Sequence, residues 1–222
     1  MTDVRILLAT AVLLLAPLPI LAQAPAPAGR TVADAEPTVM AVWVETDVNF
    51  MYKGLTSYYT CDGIGAKVGA ILKYIGARPG FKVQVRGCIN DAGRSLNQLP
   101  VEPAPWVHIH AALPRPATPE LLAELAKPDA KKELVARATG KGASTAEATA
   151  QFPARWQEVR LLGTQLGPVQ LGDCELVDAM RRDVFEKLGA KIIDDQMSCV
   201  PKQVTPGSVR LTLEVLQPVP TQ

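Results

Sequence analysis

The sequence has 222 residues, with 23 Lys plus Arg against 22 Asp plus Glu, a net charge of +1 at neutral pH, and 48% hydrophobic residues. So even a balance argues against a nucleic-acid binder or a protein held on anionic membranes by charge. The length suffices for one sizeable core or two small ones.

The first 28 residues combine an early cation, Arg5, an apolar run from Ile6 to Leu15, a Pro-broken segment, and small residues at Ala22 and Ala24. This pattern is that of a secretory signal peptide, with cleavage expected after Ala22 and a retained anchor as the alternative. The apolar core is too short and too interrupted by proline for a spanning helix, and no second stretch approaches spanning length. The mature chain is therefore expected to be periplasmic or secreted, with no stable membrane insertion after cleavage. Residues 23–37 (QAPAPAGRTVADAEP) form an Ala/Pro-rich tether of mixed polyproline character.

From Trp43 the chain begins a pattern that returns 113 positions later. Trp43 falls on Trp156, Glu45 on Glu158, Gly54 on Gly167, Cys61 on Cys174, Ala66 on Ala179, and Gly76-Ala77 on Gly189-Ala190. Beyond that pair the second copy is two residues shorter, and Cys88 meets Cys199. Ungapped agreement that keeps cysteines and glycines in register marks an internal repeat. Four cysteines in an exported chain allow three pairings. The repeat selects Cys61 with Cys88 and Cys174 with Cys199, which gives each copy the same internal staple. There is no C-x-x-C, so redox catalysis is not expected.

Within the first copy, TVMAVWVETDV from Thr38 is apolar on both faces and predicts a buried strand. Its partner from Ala154, ARWQEVRLL, alternates more and predicts one wetter face. Asn49 to Thr60 follows as a loop holding Phe50, Tyr52, Tyr58 and Tyr59, four of the eleven aromatics, whereas Leu162 to Asp173 holds none. Thr60 and Asp173 are expected to cap helices that carry apolar residues at helical spacing: Ile64, Val68, Ile71, Leu72 and Ile75, then Val177, Met180, Val184, Phe185 and Leu188. Gly76 and Gly189 stop them as left-handed caps. Phe81 to Cys88 and Lys191 to Cys199 read as strands, and Trp106 to Leu113 and Ser208 to Leu216 as last strands of period two.

The expected fold is α+β: a tandem duplication of a disulfide-stapled β-α-β-β unit, packed as a pseudo-twofold pair. Residues 38–114 are the first repeat, 115–153 a helical connector, 154–218 the second repeat and 219–222 a tail. In the connector Thr118-Pro119-Glu120 starts a helix to about Lys127. A second helix is expected from Asp129 to about Thr139, and Ser144 with Glu147 resembles a capping box.

The sequence contains no complete catalytic constellation, so a non-enzymatic module binding a ligand or partner is expected. The aromatic loop, with Tyr52, Lys53, Tyr58 and Tyr59, is the candidate contact surface, and the partner is an unidentified envelope protein or a glycan. No cofactor is expected. The alternative is a periplasmic hydrolase or metal-dependent enzyme. For it, Glu45 and Glu158 are the paired acids, each two residues after its Trp. His108 and His110, at i, i+2 on one strand face, are the start of a metal site that lacks a marked third ligand. A third reading is a structural component held near the membrane by its tether. Asp62-Gly-Ile-Gly-Ala-Lys67 resembles a phosphate cradle without the spacing of a known one, and its glycines serve as well to bring helix and sheet close.

Overall fold

In the computed structural model the described residues are 37–54, 59–88, 104–127, 138, 149–164, 167–199 and 208–220. The signal segment, most of the tether, Tyr58, all but one residue of the expected Asp129–Thr139 helix and the Ser144/Glu147 box lie outside them. Strand β1, Val39–Met51, opens the fold. Its even-numbered residues Val42, Val48 and Phe50 are buried while Glu45, Asp47 and Asn49 are exposed. The strand expected to be buried on both faces is thus wet on one. It also runs through Asn49–Met51, where a loop was expected, because Asn49 and Met51 continue the alternation and pair with His108 and Trp106.

Helix α1, Cys61–Tyr74, starts at Thr60, whose hydroxyl accepts from the Gly63 N–H at 3.0 Å. It ends at Gly76, φ 90°, where Ala77 N–H returns to the Leu72 carbonyl and Gly76 N–H to Lys73. Only a residue tolerant of positive φ closes a helix in this way. Strands β2, Lys82–Arg86, and β3, Trp106–Pro116, follow. Pro114 and Pro116 lie past the end of β2, where β3 has an open edge and the missing N–H costs no ladder bond. Helix α2, Pro119–Leu125, is capped by Thr118 with Pro119 in its first turn and buries no residue.

Strand β4, Phe152–Leu162, begins the second half. A 3-10 turn, Leu171–Asp173, precedes α3, Cys174–Asp183, and α4, Phe185–Leu188. One helix was expected here. The break is at Val184 (φ −120°, ψ −56°), although Val184 and Leu188 keep their i to i−4 bonds, so the element is kinked rather than ended. Asp173 does not cap α3, because its carboxylate turns into the protein. Gly189, φ 95°, ends α4 with the same pair of bonds as Gly76, from Ala190 to Phe185 and from Gly189 to Glu186. Strands β5, Lys191–Asp195, and β6, Arg210–Pro218, complete the chain.

The six strands form one antiparallel sheet in the order β2-β3-β1-β4-β6-β5. At its centre only three pairs join β1 to β4: Val39 with Ala154, Met40 with Pro153, and Ala41 with Phe152. Helices α1, α3 and α4 bury their apolar residues on one sheet face, in a cluster that draws on both halves and includes Ile64, Ile71, Leu72, Leu176, Met180 and Phe185. Each such side chain contributes about 1.5 to 3 kcal/mol of burial, so the shared core outweighs the short ladder in joining the halves. On the opposite face Ala41, Ala154 and Leu216 form a small cluster with Val39, Phe152 and Trp156 beside it. Cys61 is bonded to Cys88 and Cys174 to Cys199. The chain from Glu36 to Gln222 is one compact unit, and no described helix is long and apolar enough to cross a membrane.

Candidate functional site

Tyr52, just after β1, is turned inward. Tyr52 is 3% exposed and packs 5.9 Å from Tyr59, centroid to centroid. Burial raises the Tyr52 phenol well above its ordinary value, with Glu175 and Asp173 adding to the shift. The Tyr59 hydroxyl is bonded to the Asp173 carboxylate and lies 3.1 Å from the Gly172 carbonyl. Asp173 is 2% exposed and also receives Lys67 Nζ at 2.8 Å and the Gln170 N–H at 2.7 Å. Burying a carboxylate is costly without such partners. Lys67, the cation of the apparent phosphate cradle, is thus already engaged. Gly65 and Gly69 face Val85 and Phe81, where an added Cβ would come within 3.8 and 3.5 Å. Lys53 is exposed. Of the four expected contact residues, Tyr52 belongs to the core, Tyr59 to this junction, and Tyr58 lies outside the described residues.

Glu45 and Glu158 both face the helix-free side of the sheet but are not brought together. Counting from the Ala41–Phe152 pair, Glu45 lies four residues along β1 and Glu158 six residues the other way along β4. At 3.2 to 3.4 Å per residue that is roughly 30 Å, well beyond the reach of paired-acid hydrolysis. Glu158 stands opposite Glu214, with Arg160 at 3.5 Å and Lys191 2.8 Å from Glu214.

The first half of this open face has a different character. Register places Arg86, Trp106 and Met51 in one row across β2, β3 and β1, then Gln84, His108 and Asn49, then Lys82, His110 and Asp47. His108 Nδ1 donates to Asn49 Oδ1 at 2.7 Å, and His110 Nδ1 to Asp47 Oδ1 at 3.0 Å, with His108 Nε2 3.4 Å from the same oxygen. The histidines share a face, as their spacing predicts, and Asp47 is the acid nearest to both. No group of three or more His, Cys, Asp or Glu among the described residues is arranged to hold a metal ion. A recess of about 360 Å3 is lined by Asn49, Gln84, Arg86, Trp106 and His108. Trp106 is 56% exposed.

Reading the sequence placed Trp106 only at the start of a strand. The spacing Trp106-x-His108-x-His110 puts three planar side chains on one strand face, which was the available signal. Asn49, Gln84 and Arg86 come from two other strands and join them only through register. Compared with known proteins, the chain matches no protein-family model, no curated protein and no solved structure.

Proposed function

We propose that the protein is an exported, non-enzymatic binding module whose ligand site is the open sheet face of its first half, not the Tyr52–Tyr59 segment. The observation that carries this reading is the recess at Trp106. It combines an exposed indole with convergent polar groups from three strands on a rigid sheet backed by a continuous core. The two internal disulfides suit an oxidising compartment. The test is a nuclear magnetic resonance screen of the oxidised chain against saccharides, short peptides and lipid headgroups. Shifts on β1, β2 and β3 around Trp106 are expected for at least one class. Binding that maps only elsewhere would remove the reading.

We infer further that the scaffold arose by tandem duplication and that its halves are related by a pseudo-twofold axis near the Met40–Pro153 pair. Three correspondences support this. An offset of 113 maps the pair Val39–Ala154 onto Phe152–Ala41. The same operation relates Gly76, beside Gln217, to Gly189, beside Arg115, since Val42 pairs with Arg115 and Arg155 with Gln217. It also relates Arg78 over Trp43, at 5.9 Å, to Lys191 over Trp156, at 4.0 Å.

A further inference from the structure

We propose that the recess at Trp106 holds a carbohydrate ring, an assignment that rests on the open face being the binding surface. A pyranose offers one apolar face of C–H groups and a rim of hydroxyls, each both donor and acceptor. A site for it sets a flat aromatic beside planar side chains that donate and accept. Trp106 supplies the flat apolar surface, with Arg86 and Met51 on either side of it in its row. One row further, Gln84, His108 and Asn49 stand in line across the strands.

The state of each group decides what it has left to offer. Asn49 Oδ1 is taken by His108, which leaves the Asn49 amide protons for a ligand oxygen. Among the described residues no hydrogen bond or ion pair engages the Gln84 amide or the Arg86 guanidinium, so both face the recess unspent. One cation among neutral planar groups is too little for a phosphate-rich ligand, which needs clustered charge. It does favour a carboxylated sugar over a neutral one. The recess, about 360 Å3, falls in the range of small-ligand sites. In the second half the positions of Asn49, His108 and Trp106 are taken by Leu162, Arg210 and Ser208, with no aromatic ring.

The experiment uses the oxidised chain with 15N label, titrated with chitotriose, which is neutral, and with trigalacturonate, which is carboxylated. Concentrations to about 10 mM reach affinities weaker than millimolar. The Trp106 indole resonance and the side-chain amides of Asn49 and Gln84 should move, while the indoles of Trp43 and Trp156 stay still. Trp106→Ala, at an exposed position, should leave the spectrum folded and weaken binding at least tenfold. Arg86→Gln should weaken trigalacturonate several-fold more than chitotriose. Shifts that persist in Trp106→Ala, or that centre on Trp43 or Trp156, would overturn the assignment. If a peptide or a lipid headgroup moves the Trp106 resonances and neither sugar does, the carbohydrate assignment fails and the binding-module reading stands. Silence of this face toward every probe overturns both.

Discussion

On the open face of the second half the charged side chains pair with one another beside a recess of about 500 Å3 at Glu158, Arg160 and Gln217, whereas in the first half the Gln84 amide and the Arg86 guanidinium have no such partner among the described residues. Lys191 bonds Glu214 and lies over Trp156, and Arg160 reaches Glu158. In the first half the histidines lean on Asn49 and Asp47, and Gln84, Arg86 and Trp106 remain available around a recess. Exposed ion pairs add little stability, so the second half's pattern is best understood as a surface that satisfies itself. The halves share the positions that shape the scaffold, namely disulfides, glycine stops and cation-over-Trp contacts. They differ where side chains meet solvent, and that is where the proposed binding role separates from an architectural one.

The disulfides give the largest effect through which to examine this likeness. They span 27 and 25 residues, and loop-closure entropy assigns each about 3 to 4 kcal/mol. Cys61→Ala with Cys88→Ala, and Cys174→Ala with Cys199→Ala, should therefore cost the same within about 1 kcal/mol in urea unfolding, an expectation from similar loop lengths. A markedly unequal pair would show that one half holds the fold and the other leans on it.

The next largest effect should break the likeness. Thr60 and Asp173 occupy corresponding positions, yet Thr60 caps α1 and Asp173 gathers Tyr59, Lys67 and the Gln170 N–H. Thr60→Ala should cost about 1 kcal/mol. Asp173→Ala leaves Lys67 without its buried partner, and because Lys67 is 21% exposed the cost should be about 2 to 3 kcal/mol rather than the full value for a wholly buried pair. Equal losses in denaturant midpoint would show that the junction adds nothing beyond a cap.

Gly76 and Gly189 test a finer difference. Both have positive φ, where alanine costs about 1 to 2 kcal/mol. A Cβ on Gly189 would also meet Arg115 at 3.0 Å, against 3.5 Å to Gln217 for Gly76. Gly189→Ala should lower the melting temperature more than Gly76→Ala, and the reverse order would place the crowding on the wrong side.

The smallest effect is confined to alkaline pH. The raised Tyr52 phenol means that the unfolded chain loses its proton first, near the ordinary value of about 10. The stabilisation is complete below that pH and is lost as pH rises above it. Tyr52→Phe should flatten the fall in stability measured between about pH 10 and 11. An unchanged slope would mean that Tyr52 ionises as readily in the folded chain.

The features legible in the sequence were those encoded by spacing within one segment. Helical periodicity and the glycine stops depend on residues near one another, the cysteine pairing was selected by the repeat, and each was readable. The wet face of β1 was also written, in the alternation through Glu45, Asp47 and Asn49, but the apolar run TVMAVWV masked it. The inward turn of Asp173 was not readable, because its partners Tyr59 and Lys67 lie more than 100 residues away. The row of Gln84, His108 and Asn49 draws on three strands, and no local pattern fixes how strands align.

The seam between β1 and β4 has a consequence for how molecules meet one another. It is three pairs long, centred on Met40 and Pro153, and sets a large apolar side chain against an alanine at each end. A β1 strand therefore finds in a neighbouring molecule's β4 the same complement that it finds in its own. The shared core holds the halves of one chain together, and the connector makes them meet within one chain through the high effective concentration that a tether imposes. A connector cut too short to let the halves meet would leave the seam to be satisfied between chains, and the product would be a dimer that has exchanged its halves.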